Sequence, residues 1–222
     1  MSSERWLSAL WPVVSDALPP APARVVEIGC GSLGGFVPLL LAAGYDAVGV
    51  DPHAPEGDEY RRTEFENAER FDDVSAVIAS ASLHHVDEPE DVLGRIEDTL
   101  GPAGRVVVVE WAWEDFDEPT ARWCFERLAA EGATWLHRHR ERWLASGRPW
   151  VDYLQDWARG ERLHEASKLV RLLDERFERE HLARQPYFFA DLPGTGEREE
   201  QAAIDAGEIR ATRVDYVGRR AA

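Results

Sequence analysis

The sequence predicts an α/β protein built on a doubly wound, mostly parallel sheet, and three features carry that prediction. Val25-Val26-Glu27-Ile28 is an apolar, β-branched run that ends in the glycine-rich turn Gly29-Cys30-Gly31-Ser32-Leu33-Gly34-Gly35. Val48-Gly49-Val50 then ends in Asp51 about 20 residues further on, the spacing expected of a nucleotide-binding βαβ unit. Val74–Ser80 and Val106–Val109 are too apolar for exposed strands, and a helical pattern from Glu88 to Leu100 separates them, with Val92, Leu93, Ile96 and Leu100 on one face.

Each part of the first unit has a chemical use. The glycines let the backbone turn sharply and approach a ligand, and a helix starting near Gly34 would aim its N-terminal amides at that ligand. Asp51 is placed to accept hydrogen bonds from both hydroxyls of a ribose. The glycine spacing leaves two cofactor classes open. Gly29, Gly31 and Gly34 fit G-x-G-x-x-G, the pattern of a nicotinamide dinucleotide site in an NAD-dependent oxidoreductase. Glu27 argues the other way, because a carboxylate just before the first glycine repels a pyrophosphate and attracts an ammonium group. That polarity suits a sulfonium nucleoside carrying an amino acid.

These residues resemble the first motif of the class I S-adenosylmethionine-dependent methyltransferases, E/D-x-G-x-G-x-G. Glu27, Gly29 and Gly31 match it; Leu33 replaces the third glycine, and Gly34 and Gly35 take over the close approach one position later. The later segments follow in the family's order. Val74–Ser80 with Leu83-His84-His85-Val86 resembles its fourth strand and the segment after it. Leu100-Gly101-Pro102-Ala103-Gly104, read as a helix stop and turn, precedes an apolar strand ending in Glu110. Near the C-terminus, Tyr187-Phe188-Phe189 reads as a strand, Thr195 to Ala206 as a polar helix and Ile209 to Val217 as a final strand.

The resemblance implies a seven-stranded sheet with an antiparallel last strand inserted beside the sixth, S-adenosyl-L-methionine as cofactor, and methyl transfer to a small molecule. It also implies roles for single residues. Glu27 would contact the methionine amino group, directly or through water, while Gly29 and Gly31 allow close approach. Asp51 would hold the ribose, Pro52 and His53 would border the adenine, and Glu66 would meet its exocyclic amine. Ser80 would offer its backbone carbonyl to the methionine moiety.

Methyl transfer asks little of side chains, since a sulfonium is already a strong electrophile and alignment with exclusion of water supplies much of the acceleration. An amine can react without a base. For an oxygen acceptor, weighed slightly ahead of nitrogen, His84 or His85 is a candidate base, with Glu110 on the neighbouring strand to orient the imidazole or to bind substrate. The alternative is structural: a histidine pair that packs under the cofactor or caps the next helix.

Residues 112–178 depart from the βα alternation and read as a helical insert after strand five, a candidate lid over the ligand-binding edge of the sheet. Its expected helices run from Glu118 to Ala130, Ala133 to Ser146, Trp150 to Arg159 and Glu161 to Phe177, with Gly132, Gly147-Arg148-Pro149 and Gly160 as breaks. The segment is rich in aromatics, among them Trp111, Trp113, Trp123, Trp135, Trp143, Trp150 and Trp157. They serve either as the insert's own core or, for a subset, as the wall of a substrate pocket. An N-terminal helix, Glu4 to Leu18, is expected to pack over the cofactor cleft, with residues 1–22 forming helix and linker.

Composition bounds the rest. A chain of 222 residues can bury a full core as a single domain. Its net charge of −17 repels phosphate backbones, so nucleic acid is not an expected partner. His137-Arg138-His139-Arg140-Glu141-Arg142 is the one basic cluster and reads as a solvated, salt-bridged helix face. Cys30 and Cys124 form no framework and no metal-ligand spacing with histidines, and no apolar run is long enough to span a membrane. The expectation is a cytoplasmic enzyme without a metal. A cofactor-binding regulatory protein without catalysis is the remaining alternative.

Overall fold

Consecutive residues of the central strands alternate between two hydrophobic faces, both covered. Val25, Ala76, Ile78, Val107 and Val109 point into one core, and Val26, Val77, Ala79, Val106 and Val108 into the other, each at most 1 % exposed. Strands apolar on both sides suit a parallel sheet sandwiched between helices. The computed structural model describes residues 3–129 and 132–220. Its strands are β1 (Arg24–Ile28), β2 (Asp46–Val50), β3 (Tyr60–Arg61), β4 (Val74–Ser80), β5 (Leu100–Trp111), β6 (Phe177–Gln185) and β7 (Arg213–Arg220), in the spatial order β3-β2-β1-β4-β5-β7-β6. β1 to β5 are parallel, and β7 runs antiparallel between β5 and β6. The fold is the expected seven-stranded, doubly wound sheet with an antiparallel last strand. The strand order reverses between β1 and β4, which opens a crevice at their C-terminal ends.

The helices are α1 (Ser3–Ala17), α2 (Val37–Ala42), α3 (Pro89–Thr99), α4 (Glu118–Glu126), α5 (Trp135–Ser146), α6 (Trp150–Gly160), α7 (Ala166–Asp174) and α8 (Glu197–Asp205). Among the described residues, no helix is long and apolar enough to cross a membrane. Capping follows sequence logic in the insert: Asp117 and Thr134 accept from the amides of Thr120 and His137, and Gly147 ends α5 with a left-handed backbone, φ 62°. The predicted end of α4, Ala130, lies outside the described residues.

Several elements differ from the sequence reading. α2 starts at Val37 rather than near Gly34, because Gly34 and Gly35 both take positive φ (86° and 56°) and cannot be helical. Gly101–Gly104 belongs to β5; Leu100 still pairs with Val74, and the ladder then shifts register around Ala103, φ 59°. α1 buries Trp6, Leu10 and Val14 in the core on the Val107 side of the sheet, rather than covering the crevice. α7 is shorter than expected and is no part of a lid. Its Leu169, Leu172 and Leu173 pack on the opposite face beside α3, and Phe177 already begins β6.

Tyr187-Phe188-Phe189 is not a strand. The amides of Tyr187, Phe188 and Phe189 donate to the buried Glu200 carboxylate at 2.8, 3.0 and 2.6 Å, so none is left for a ladder, and residues 188–190 form a 3-10 turn. Burial pushes the Glu200 carboxyl up, against the pull of those amides. Glu200→Ala strands three buried donors and is expected to cost about 3 kcal/mol or more. Urea unfolding of both proteins measures it.

Candidate active site

The glycine turn is fastened to the ends of its neighbours. The Gly29 amide donates to the Val50 carbonyl at 2.9 Å, and the Gly31 amide to Asp51 Oδ2 at 3.0 Å. Asp51 Oδ1 accepts from the His53 amide at 2.6 Å. A Cβ on Gly29, whose φ is 77°, would lie 2.3 Å from Ser82 Cβ. A side chain there would therefore break the seam between β1 and β4 itself, not only the space for a ligand. Leu33, where the family motif has glycine, is 69 % exposed and turns out to solvent.

Above this seam lies a cleft of about 520 Å³ lined by Gly29, Asp51, Pro52, His53 and Glu66, together with Ala81 and Ser82 beyond β4. Gly31, Glu27 and Ser80 are not in its lining. Gly31 braces Asp51, and the Ser80 hydroxyl accepts from Trp6 Nε1 at 3.3 Å. The cleft takes the next residue instead, Ala81, whose positive φ of 49° turns the chain sharply after the strand. Ala81 escaped the sequence reading because an alanine carries no signal for a left-handed backbone. Asp87 and Arg162, an exposed ion pair at 3.4 Å, close one side of the mouth.

Glu27 is 1 % exposed and folded under the turn, where Oε2 accepts from the Phe36 amide at 2.7 Å and a Cβ on Gly35 would meet Oε1 at 2.2 Å. The amides at the start of α2, expected to face a ligand, are satisfied by the protein's own carboxylate. Burial pushes the Glu27 carboxyl from 4.5 to about 8 despite those amides. The folded chain thus keeps a proton that the unfolded chain has released, and stability falls as pH rises between these values. The slope is expected to reach about 1.4 kcal/mol per pH unit. Glu27→Gln flattens this slope in urea unfolding measured from pH 5 to 8.

A second cavity of about 450 Å³ adjoins the cleft, and Ala81 and His85 line both. His84, 4 % exposed, also lines it, with Nδ1 2.6 Å from Glu110 Oε2. Glu110 accepts in addition from the amides of Ser82, Leu83 and Trp111 at 2.9, 2.6 and 3.0 Å. Burial alone would push its carboxyl up; the His84 charge and these amides hold it below the ordinary value. An ionised carboxylate accepting at Nδ1 fixes the imidazole tautomer with Nε2 as acceptor, and Nε2 has no hydrogen-bond partner among the described residues. The His85 ring lies 4.2 Å from the His84 ring, tilted by 40°; enclosure, then the His84 charge, push it down to about 4 although part of the ring reaches solvent. Of the two histidines, the structure pairs His84 with Glu110.

The insert supplies the far wall. Trp111, Trp135 and Trp157 line the second cavity, as does Tyr187, which sequence reading had placed in a strand. Trp123, Trp143 and Trp150 are instead buried in the insert's core. Among the described residues, no group of three or more His, Cys, Asp or Glu side chains is placed to hold a metal ion.

Comparison with known proteins agrees with this geometry. A family model described as a methyltransferase domain matches residues 4–158. No protein with curated function matches the chain. Its structure is similar to that of an S-adenosylmethionine-dependent methyltransferase from Mesorhizobium loti (TM-score 0.57, 18 % identity, 96 % of this chain and 98 % of that one). It is also similar to geranyl diphosphate C-methyltransferase from Streptomyces coelicolor A3(2), solved with Mg2+, geranyl diphosphate and S-adenosyl-L-homocysteine (0.58, 16 %, 98 % and 82 %). A third similar structure is a Thermotoga maritima methyltransferase described as a possible histamine N-methyltransferase (0.56, 16 %, 99 % and 91 %). At these identities the structures speak for the fold, and the family model decides between the two cofactor classes that the glycine spacing left open. The chain belongs to the class I S-adenosylmethionine-dependent methyltransferases.

Proposed function

We propose that the chain transfers a methyl group to the oxygen of a small molecule held in the second cavity, with His84 as general base. The observation that carries this reading is the imidazole–carboxylate pair His84–Glu110 in the wall of that cavity, next to the cofactor cleft. An amine acceptor needs no such pair.

The residues of the first cleft fit S-adenosylmethionine. Asp51 has spent one acceptor site on each oxygen and keeps capacity for two ribose hydroxyls. Of the residues lining that cleft, Pro52, His53 and Glu66 would border the adenine, and Gly29, Ala81 and Ser82 the methionine moiety. Glu27 reaches an ammonium group only by letting go of the Phe36 amide; until then it shapes the turn. When bound, the cofactor supplies a methyl group already activated by the sulfonium. The protein's part is to align the acceptor, keep water out with the tryptophan wall, and take the acceptor's hydroxyl proton on His84 Nε2 while Glu110 holds Nδ1–H. His85, pushed down to about 4, stays neutral at physiological pH and lines both cavities. The similar structures include a C-methyltransferase and a protein described as an N-methyltransferase, so the fold leaves the acceptor atom open and the site must choose it.

Asp51→Ala is expected to weaken S-adenosylmethionine binding by about 2 kcal/mol, measured by calorimetry, with the fold intact. His84→Ala is expected to lower turnover about 100-fold at saturating acceptor while cofactor affinity stays unchanged. The same substitution at the neighbouring residue then tells the histidines apart. His85→Ala is expected to keep most of its turnover. Full turnover in His84→Ala would mean that alignment alone drives the transfer, which points to nitrogen or an already ionised acceptor.

A further inference from the structure

α5 carries the chain's basic cluster, and Trp135, Arg138, His139 and Arg142 recur on it at the three- and four-residue spacing of a single helix face. That stripe borders the second cavity, with His139 buried and Arg138 and Arg142 exposed at its mouth. Arg142 makes no hydrogen bond or ion pair with another described residue. Arg138 spends one N–H on the Ala133 carbonyl at 2.6 Å and is otherwise open. Neighbouring arginines are treated differently: Arg148 and Arg159 both pair with Asp156 at 2.7 Å. Arg138 and Arg142 thus bring two guanidinium groups without a carboxylate partner to one cavity.

The cavity's charges nearly balance. Glu161 lines it as well and offsets one arginine, while burial pushes the His139 imidazole down to about 4 and leaves it neutral, hydrogen-bonded to the Tyr153 hydroxyl at 2.9 Å. The vacancy is for one negative charge. Trp111 adds a buried indole N–H with no partner among the described residues. The remaining wall is flat and aromatic, and it favours a planar or unsaturated body.

We propose that the methyl acceptor is a monoanionic small molecule with a flat apolar body, its carboxylate held by Arg138 and Arg142. The inference rests on the second cavity being the acceptor site. Arginine's planar fork matches a carboxylate with two parallel hydrogen bonds, which would anchor the far end of the molecule while its reacting hydroxyl lies toward His84.

The test uses the full chain with S-adenosylhomocysteine, whose own binding is measured first by calorimetry. On that complex, 1-naphthoate, its neutral analogue 1-naphthamide and the dianion 1-naphthyl phosphate are titrated in turn. The expected result is that naphthoate binds about tenfold or more tighter than the amide. Arg138→Gln/Arg142→Gln should abolish this preference and leave the amide's affinity and that of S-adenosylhomocysteine unchanged. Equal binding of acid and amide, a preference that survives the double substitution, or no binding of any of the three overturns the proposal. A tenfold preference for the phosphate over the carboxylate overturns the single-charge assignment. Failure of S-adenosylhomocysteine itself to bind would instead sink the cofactor placement, and the acceptor assignment with it.

Discussion

The site depends on keeping one carboxylate charged out of water. Glu110 is 2 % exposed, and an ion so buried survives only with its lone pairs satisfied. Four donors do this: the amides of Ser82, Leu83 and Trp111 and the Nδ1 of His84. Three of the four come from the segment after β4, so the demand of a residue on β5 dictates the path of its neighbour. The chain must bend at Ala81, and that bend presents Ala81 and His85 to both cavities and His84 to one. Catalytic geometry and the β4–β5 seam share a single electrostatic cause.

The same device recurs around the C-terminal edge of the sheet. Glu27 gathers the start of α2, and Glu200 gathers the turn that carries Tyr187. Each is a buried acid from one element ordering the loop of another. Their proton affinities differ for a visible reason. Glu27 and Glu200 have amides for company and are pushed up, whereas an imidazole faces Glu110 and holds it down. Burial outweighs the amides at the first two sites, and the Arg213 charge as well at Glu200; at Glu110 the bond from the imidazole joins the amides and burial is outweighed.

Much of this was legible in the sequence. Period-two burial, β-branched runs and glycine stops exposed the sheet, and Asp51, Pro52, His53 and Glu66 fell on the cleft because they follow strand ends. Glu110 was recognisable as an acid closing an apolar strand beside a histidine pair. What the sequence hid was directional. Nothing in Glu27 says that its carboxylate turns back under Gly35, and nothing in an alanine says that it will adopt φ 49°. The helical period from Glu161 to Phe177 was real over Ala166–Asp174, but periodicity does not tell a lid from a crossover helix; only the sheet face it meets does. The basic cluster hid one thing for a related reason: Arg138 and Arg142 are solvated as read, but nothing in a charged stripe says that it also borders a cavity.

The two cavities touch along little more than Ala81 and His85, and their walls come from different stretches of chain. The cleft is drawn mostly from residues 28 to 87, and the second cavity mostly from 111 to 187. Drift along one face of α5 or α6 can therefore alter which molecule enters while leaving untouched the cofactor grip that every variant must keep. A protein built this way separates what is inherited from what is negotiable. The reagent is held by the sheet and its turns, and the choice of acceptor falls to helices inserted at its edge.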